Sequence, residues 1–175
     1  HPKSVYGRSK RAGEESVLGS DPRHLVVRTS WLFGPGGASF PKSILKAWLS
    51  GMPLRVVADQ IGAPTYTADL ARVLVDLMER EPEGGVYHAV GPEAMSWHKF
   101  AVLVIAAYAK TLQQREVSVA IEPIETSDWP TPASRLAYSV LATGKIEALG
   151  IAPMRPLPEA LEEFSRRLAA GLQVG

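Results

Sequence analysis

The 175-residue sequence contains no cysteine. Disulfide bridges, thiolate nucleophiles and cysteine-based zinc sites are therefore excluded. That absence fits a cytoplasmic protein, the compartment we expect. Long apolar runs are missing as well. The longest, Phe100 to Ala109, is about half of the roughly 20 residues that a membrane-spanning helix needs. Charge of one sign is also lacking: 19 Lys and Arg against 18 Asp and Glu give a formal net charge of +1. Neither the basic stripe of a nucleic-acid binder nor a polybasic membrane anchor is present, so neither nucleic acid nor membrane is an expected partner. No G-x-G-x-x-G turn occurs, the turn that cradles a pyrophosphate after the first strand of a dinucleotide-binding fold. Gly34-Pro35-Gly36-Gly37 lacks that spacing and reads as a loop before a helix. His24, His88 and His98 fall on different predicted elements and form no His-x-x-x-His pair, so no metal site is expected.

What remains is the composition of a folded domain. Hydrophobic residues make up 46% and charged residues 21%, a balance that disfavours disorder. A helix is predicted over 3–19, then a buried strand over 23–29. Phe40, Ile44, Leu45 and Trp48 recur at helical spacing, with Gly51 as the stop. Leu54 to Ala58 reads as a strand and 59–65 as a loop. Thr67 is the expected cap of the next helix, whose apolar stripe is Leu70, Val73, Leu74, Leu77 and Met78. A strand over 86–90 follows, then a helix over 97–110 capped by Ser96. Residues 117–124 read as a strand, 125–138 as irregular, and 139–149 and 157–171 as helices. Helices alternating with short buried strands predict an α/β fold with parallel pairing.

Four segments carry candidate chemistry. Tyr6 and Lys10 lie one helical turn apart on one face. An ammonium beside a phenol favours the phenolate, so such a pair can exchange a proton with a carbonyl oxygen; a solvated helix face has the same spacing. Arg28-Thr-Ser-Trp-Leu-Phe-Gly34 closes a predicted strand, and ligands of open α/β sheets sit beyond the carboxyl ends of strands. Trp31 is suited either to stacking on a flat or sugar-like ligand or to filling the core. Asp59 and Gln60 follow another strand end, as pocket residues or as a turn capped by Asp. Arg135 is either a fork for a phosphate or a solvated surface charge.

Together and in this order, the segments resemble the dTDP-4-dehydrorhamnose reductase family of extended short-chain dehydrogenases/reductases. The matching stretches are Val5-Tyr-Gly-Arg-Ser-Lys10 with Ala12-Gly-Glu14, Arg28 to Gly34, Val56 to Thr65 with Ala68-Asp-Leu-Ala71, and Pro130 to Arg135 with Ser139-Val-Leu141. The resemblance implies the C-terminal part of a Rossmann-like doubly wound parallel sheet, with a small substrate-binding subdomain interleaved across 1–175. It implies reduction of the 4-keto group of a dTDP-linked deoxysugar with NADPH, or in some members NADH, to give dTDP-L-rhamnose for cell-surface polysaccharide. By the same resemblance Tyr6 donates the proton, and Lys10 holds the nicotinamide ribose. Thr29 and Ser30 lie near the nicotinamide, Trp31 packs on the sugar, and Asp59, Gln60 and Arg135 contribute to the nucleotide-sugar pocket. Two positions depart from the family pattern: Ser39 precedes Phe40 where Asn is usual, and Leu136 follows Arg135 where Pro is usual.

The family carries its dinucleotide fingerprint in an opening half that this sequence does not contain. The expectation is a C-terminal portion that does not bind NADPH tightly or turn over by itself. Strands deprived of their neighbours invite association, so a companion N-terminal polypeptide, a homodimer or a rearranged fold is expected. Two alternatives stand beside this reading. One is a non-catalytic subunit resembling the regulatory subunit of methionine adenosyltransferase; the other is another sugar-nucleotide reductase or epimerase. Some family members hold Mg²⁺ between subunits through carboxylates, but no residue here is assigned as such a ligand.

Overall fold

Helices and short strands alternate along the whole chain in a computed structural model that describes residues 2, 4–113, 120–129, 131 and 135–171. In order they are α1 (Val5–Ser20), β1 (Leu25–Arg28), β2 (Leu32–Phe33), α2 (Phe40–Leu49), β3 (Leu54–Val57), β4 (Ile61–Gly62), β5 (Thr65–Tyr66), α3 (Thr67–Arg80), β6 (Gly85–His88), β7 (Met95–Ser96), α4 (Trp97–Thr111), β8 (Ile121–Ile124), a 3-10 turn (Thr126–Asp128), α5 (Gly144–Glu147) and α6 (Leu157–Ala169). Strands β1 and β6 pair in parallel from Leu25–Gly85 to Arg28–His88. Strands β2 with β5 and β3 with β8 are also parallel, whereas β4 with β7 is antiparallel. The α/β class with parallel pairing is thus what the chain adopts.

The helices begin where local chemistry favours it. Pro41 sits in the first turn of α2, where its missing N–H costs nothing. The Ser96 hydroxyl accepts from the Lys99 amide at the start of α4, at 3.1 Å. At α6 the Glu93 carboxylate accepts from the Leu157 amide, at 3.0 and 3.1 Å, satisfying a donor that the helix itself cannot use.

Apolar side chains gather in two clusters. In the larger, the rings of Phe33, Phe100 and Phe164 meet edge-on at 5.4 and 5.5 Å, joined by Leu45, Val56, Ile121 and Leu161. It binds α2, α4 and α6 to the β3–β8 pair. The second joins Val73, Leu77, Tyr87, Ile146, Ile151 and Met154 beneath the β1–β6 pair. Helix α1 stands apart: none of its 16 residues is buried.

Several boundaries differ from expectation. The loop predicted over 59–65 contains β4 and β5, two-residue strands that exist through their partners. The cap of α3 is Tyr66, and Thr67 is its first residue. Its buried face is Asp69, Val73 and Leu77, while Leu74 and Met78 are exposed; the apolar stripe is wider than the face that the neighbouring elements cover. The helix predicted over 139–149 shrinks to α5. The strand predicted over 117–124 begins at Ile121 as β8; Ala120 lies outside it and 117–119 lie outside the described residues. No described helix is long and apolar enough to cross a membrane.

Candidate functional site

Helix α1 runs back along β1, since Glu14 on the helix meets Arg28, the last residue of that strand. The Arg28 Nε donates to Glu14 Oε1 at 2.8 Å and Nη2 donates to Oε2, a two-pronged pair. Arg28 holds the Glu14 carboxyl below the ordinary carboxylate range against partial desolvation, with Lys10 and His88 adding to the effect. Residues before Glu14 therefore project past the carboxyl end of β1. Tyr6 precedes it by two turns, about 12 Å of helix, and its side chain is 72% exposed. Lys10, one turn from Tyr6, is exposed too. The hydroxyl of Ser4 accepts from the Gly7 amide at 3.0 Å and caps this end.

Thr29, Ser30 and Trp31 continue from β1. The Thr29 hydroxyl oxygen is buried and has no hydrogen-bond partner among the described residues. Ser30 donates to the Ala63 carbonyl at 3.1 Å. Trp31 has φ +46°, a left-handed backbone that costs a bulky residue about 1–2 kcal/mol. Its indole lies flat on Trp97, with centroids 3.5 Å apart and planes within 12°. The backbone of Gly62 lies against its six-membered ring: a Cβ there would sit 2.2 Å from Cε2. Trp31 is thus packed on the rim of the larger apolar cluster, only partly covered, with one face already given to Trp97.

Asp59 and Gln60 are occupied with a turn 67 residues downstream. The Asp59 carboxylate accepts from the Thr126 amide, at 3.0 and 3.1 Å, and from its hydroxyl at 2.7 Å. Gln60, buried, donates to the same hydroxyl at 3.0 Å. The bonds from Thr126 hold the Asp59 carboxyl below its ordinary range. Two residues on, Ile61 donates to the Ala137 carbonyl at 2.8 Å and accepts from the Ser139 amide at 2.9 Å. One short segment therefore grips both ends of the stretch from Thr126 to Ser139. Arg135 and Tyr138 in that stretch are exposed. Residues 130 and 132–134 of the Pro-Thr-Pro-Ala-Ser stretch lie outside the described residues.

Thr29 and Ser30 thus continue from the end of β1 with Trp31 against Gly62, and α1 carries Lys10 and Tyr6 past that end. Sequence reasoning gave Glu14 no role of its own, only a place in the Ala12-Gly-Glu14 stretch. Its signal was its place one turn beyond Lys10. Sequence reasoning also missed Thr126, whose role depends on a contact across 67 positions that no local pattern announces. A cavity of about 150 Å³ beside His88, lined also by Thr143, Glu147 and Met154, involves none of the predicted residues.

The profile of the RmlD substrate binding domain family matches residues 1–170. A dTDP-4-dehydrorhamnose reductase from Aggregatibacter actinomycetemcomitans is 40% identical over 161 residues, covering 87% of this chain and 54% of that protein. The spore coat polysaccharide biosynthesis protein SpsK of Bacillus subtilis is 39% identical over 163 residues, covering 93% and 54%. The crystal structure of dTDP-4-dehydrorhamnose reductase from Bacillus anthracis in complex with NADP superposes with a TM-score of 0.84 at 34% identity, covering 94% of this chain and 56% of that one. The chain spans about half the length of the curated relatives it matches.

Proposed function

Because this chain belongs to the RmlD substrate binding domain family, we propose that it supplies the proton-transfer and sugar-nucleotide part of an NADPH-dependent dTDP-4-dehydrorhamnose reductase. The observation that carries the reading is the Tyr6–Lys10 pair, one turn apart, exposed, and held past the carboxyl end of a parallel strand. The activity then belongs to this chain together with a dinucleotide-binding segment, in the same polypeptide or a companion one, acting on dTDP-4-dehydro-L-rhamnose in the cytoplasm.

The residues at the end of β1 fit a nicotinamide. The Thr29 hydroxyl wants a partner that the described residues do not provide, and Lys10 is exposed, able to meet a ribose hydroxyl. Bound NADPH supplies the hydride that reaches C4 of the sugar. Tyr6 gives its phenolic proton to the 4-keto oxygen, turning the ketone into the alcohol of dTDP-L-rhamnose. The Lys10 ammonium stabilises the phenolate left behind until solvent returns the proton. Trp31 offers its uncovered edge to the sugar, and Arg135 its fork to the diphosphate. Asp59 and Gln60 serve the pocket through the Thr126 turn that they hold.

The test is NADPH oxidation by the intact protein with dTDP-4-dehydro-L-rhamnose. Tyr6→Phe is expected to lower kcat by about 10²-fold or more, with sugar-nucleotide binding retained. A wild-type rate in that variant refutes the assignment.

A further inference from the structure

Helix α1 offers the sheet one narrow stripe. At about 100° per residue, Gly7, Glu14 and Leu18 fall within roughly 20° of a single line along the helix. They are also the residues between Val5 and Ser20 that are partly covered, all others there being exposed. Gly7 has no side chain, and Leu18 makes only a non-directional contact. Glu14 supplies a directional tether to the end of β1, through the two-pronged bond to Arg28. The neighbouring contact, His24 Nδ1 at 3.1 Å from the Val17 carbonyl oxygen and from the Ser20 hydroxyl, lies at the opposite end of the helix from Tyr6.

Tyr6 and Lys10 sit about 60–100° around the helix from that line, on one flank. Their aim therefore follows the rotation of α1 about its own axis. A phenolic oxygen stands some 8–9 Å from the axis, so a 10° rotation moves it by about 1.5 Å. No buried apolar side chain of α1 resists such a rotation. We propose that Glu14, through Arg28, is a positioning residue that fixes the rotation of α1 and so aims Tyr6 and Lys10 at the reacting carbonyl. The proposal rests on the reductase reading above. It adds a residue pair that touches neither substrate nor cofactor.

The pair is matched to that task. Arg28 ends the strand from which Thr29, Ser30 and Trp31 continue, so one guanidinium ties the proton-transfer helix to the strand end that faces the ligand. The fork accepts a carboxylate in one plane, which fixes direction as well as distance. An Arg28→Lys ammonium would keep the charge and lose that plane.

The experiment compares Glu14→Gln, Arg28→Lys and the exchanged pair Glu14→Arg/Arg28→Glu in the intact protein, with Tyr6→Phe as control. Misplacing a reacting group by about 1 Å costs on the order of 10²-fold in rate. Glu14→Gln and Arg28→Lys are expected to lose about 10- to 100-fold in kcat, with KM for the sugar nucleotide and the thermal midpoint close to wild type. The exchanged pair is expected to regain most of the lost kcat. A wild-type kcat in Glu14→Gln overturns the proposal. So does a loss of kcat that tracks a fall in thermal midpoint, or an exchanged pair no better than Glu14→Gln. If Tyr6→Phe is inactive while Glu14→Gln is not, this inference alone falls. If Tyr6→Phe turns over normally, the reductase reading falls first.

Discussion

Arg155 offers a direct measure of what holds α3 against α6. Its Nε and Nη2 donate to Asp69 Oδ1 at 2.8 and 2.7 Å, and its Nη1 donates to Glu163 Oε2 at 2.7 Å. The side chain of Asp69 is only 8% exposed, that of Glu163 19%, and that of Arg155 37%. Arg155→Met leaves Asp69 as a buried charge without its counterion. Removing one partner of a buried pair costs about 3–5 kcal/mol. Two features reduce that here. Water reaches the partly exposed guanidinium site, and Asp69 lies in the first turn of α3, where the helix dipole returns about 0.3–1 kcal/mol. A loss of about 2–3 kcal/mol remains, or roughly 5–10 °C in thermal midpoint for a chain of this size. Circular dichroism melting of the intact protein reads it. Asp69→Asn/Arg155→Met is expected to recover half or more of the loss, because the uncompensated carboxylate is gone. Arg155 also holds the Glu163 carboxyl below its ordinary value of 4.5. The Glu163 contribution is therefore fully present above that value and is lost as pH falls through the lower folded value, so the gap between wild type and Arg155→Met narrows on acidification. A midpoint change below about 2 °C, or a double variant no better than the single one, refutes the reasoning.

Three further outcomes follow from the geometry. Gly62→Ala places a methyl group 2.2 Å from Trp31; it should cost about 1–3 kcal/mol and weaken the near-ultraviolet dichroism of the Trp31–Trp97 stack. Phe164→Ala empties the centre of the larger cluster, where the ring is fully buried, and should cost about 3–5 kcal/mol in denaturant unfolding. The Asp59 carboxyl is held below its ordinary value by Thr126, so its grip persists above the ordinary carboxylate range and is released as pH falls through the lower folded value. The Thr126 amide resonance should move over that acidic window in the native protein, and should not move in Asp59→Asn.

The parts legible in the sequence were those whose reasons are local. The buried face of α6 through Leu157, Leu161, Phe164 and Leu168, and the Ser96 cap of α4, follow from helical spacing and one hydroxyl. What was not legible depends on distant partners. Strands β4, β5 and β7 are two residues long and carry no period of their own. Leu74 and Met78 follow the spacing of a buried stripe, but both lie exposed. The Tyr6–Lys10 spacing was readable at once, whereas the Glu14–Arg28 tether is a contact between elements. The same holds for Trp31. Its residue type suggested a ligand or a core, and only the stack on Trp97 shows how much of the ring is already spoken for.

The grip of Asp59, Gln60 and Ile61 on both ends of the Thr126–Ser139 stretch has a consequence for the length of that stretch. With both ends anchored to one short segment, closing the stretch no longer depends on what lies between. Lengthening it adds only a slowly growing entropy, about 0.6 kcal/mol for each doubling. The bonds of Thr126, Ala137 and Ser139 therefore fix where the stretch begins and ends, whatever its length. Arg135, exposed, is carried between two fixed anchors. The Glu14–Arg28 pair that holds α1 lies on other elements, so changes in the stretch leave that pair in place.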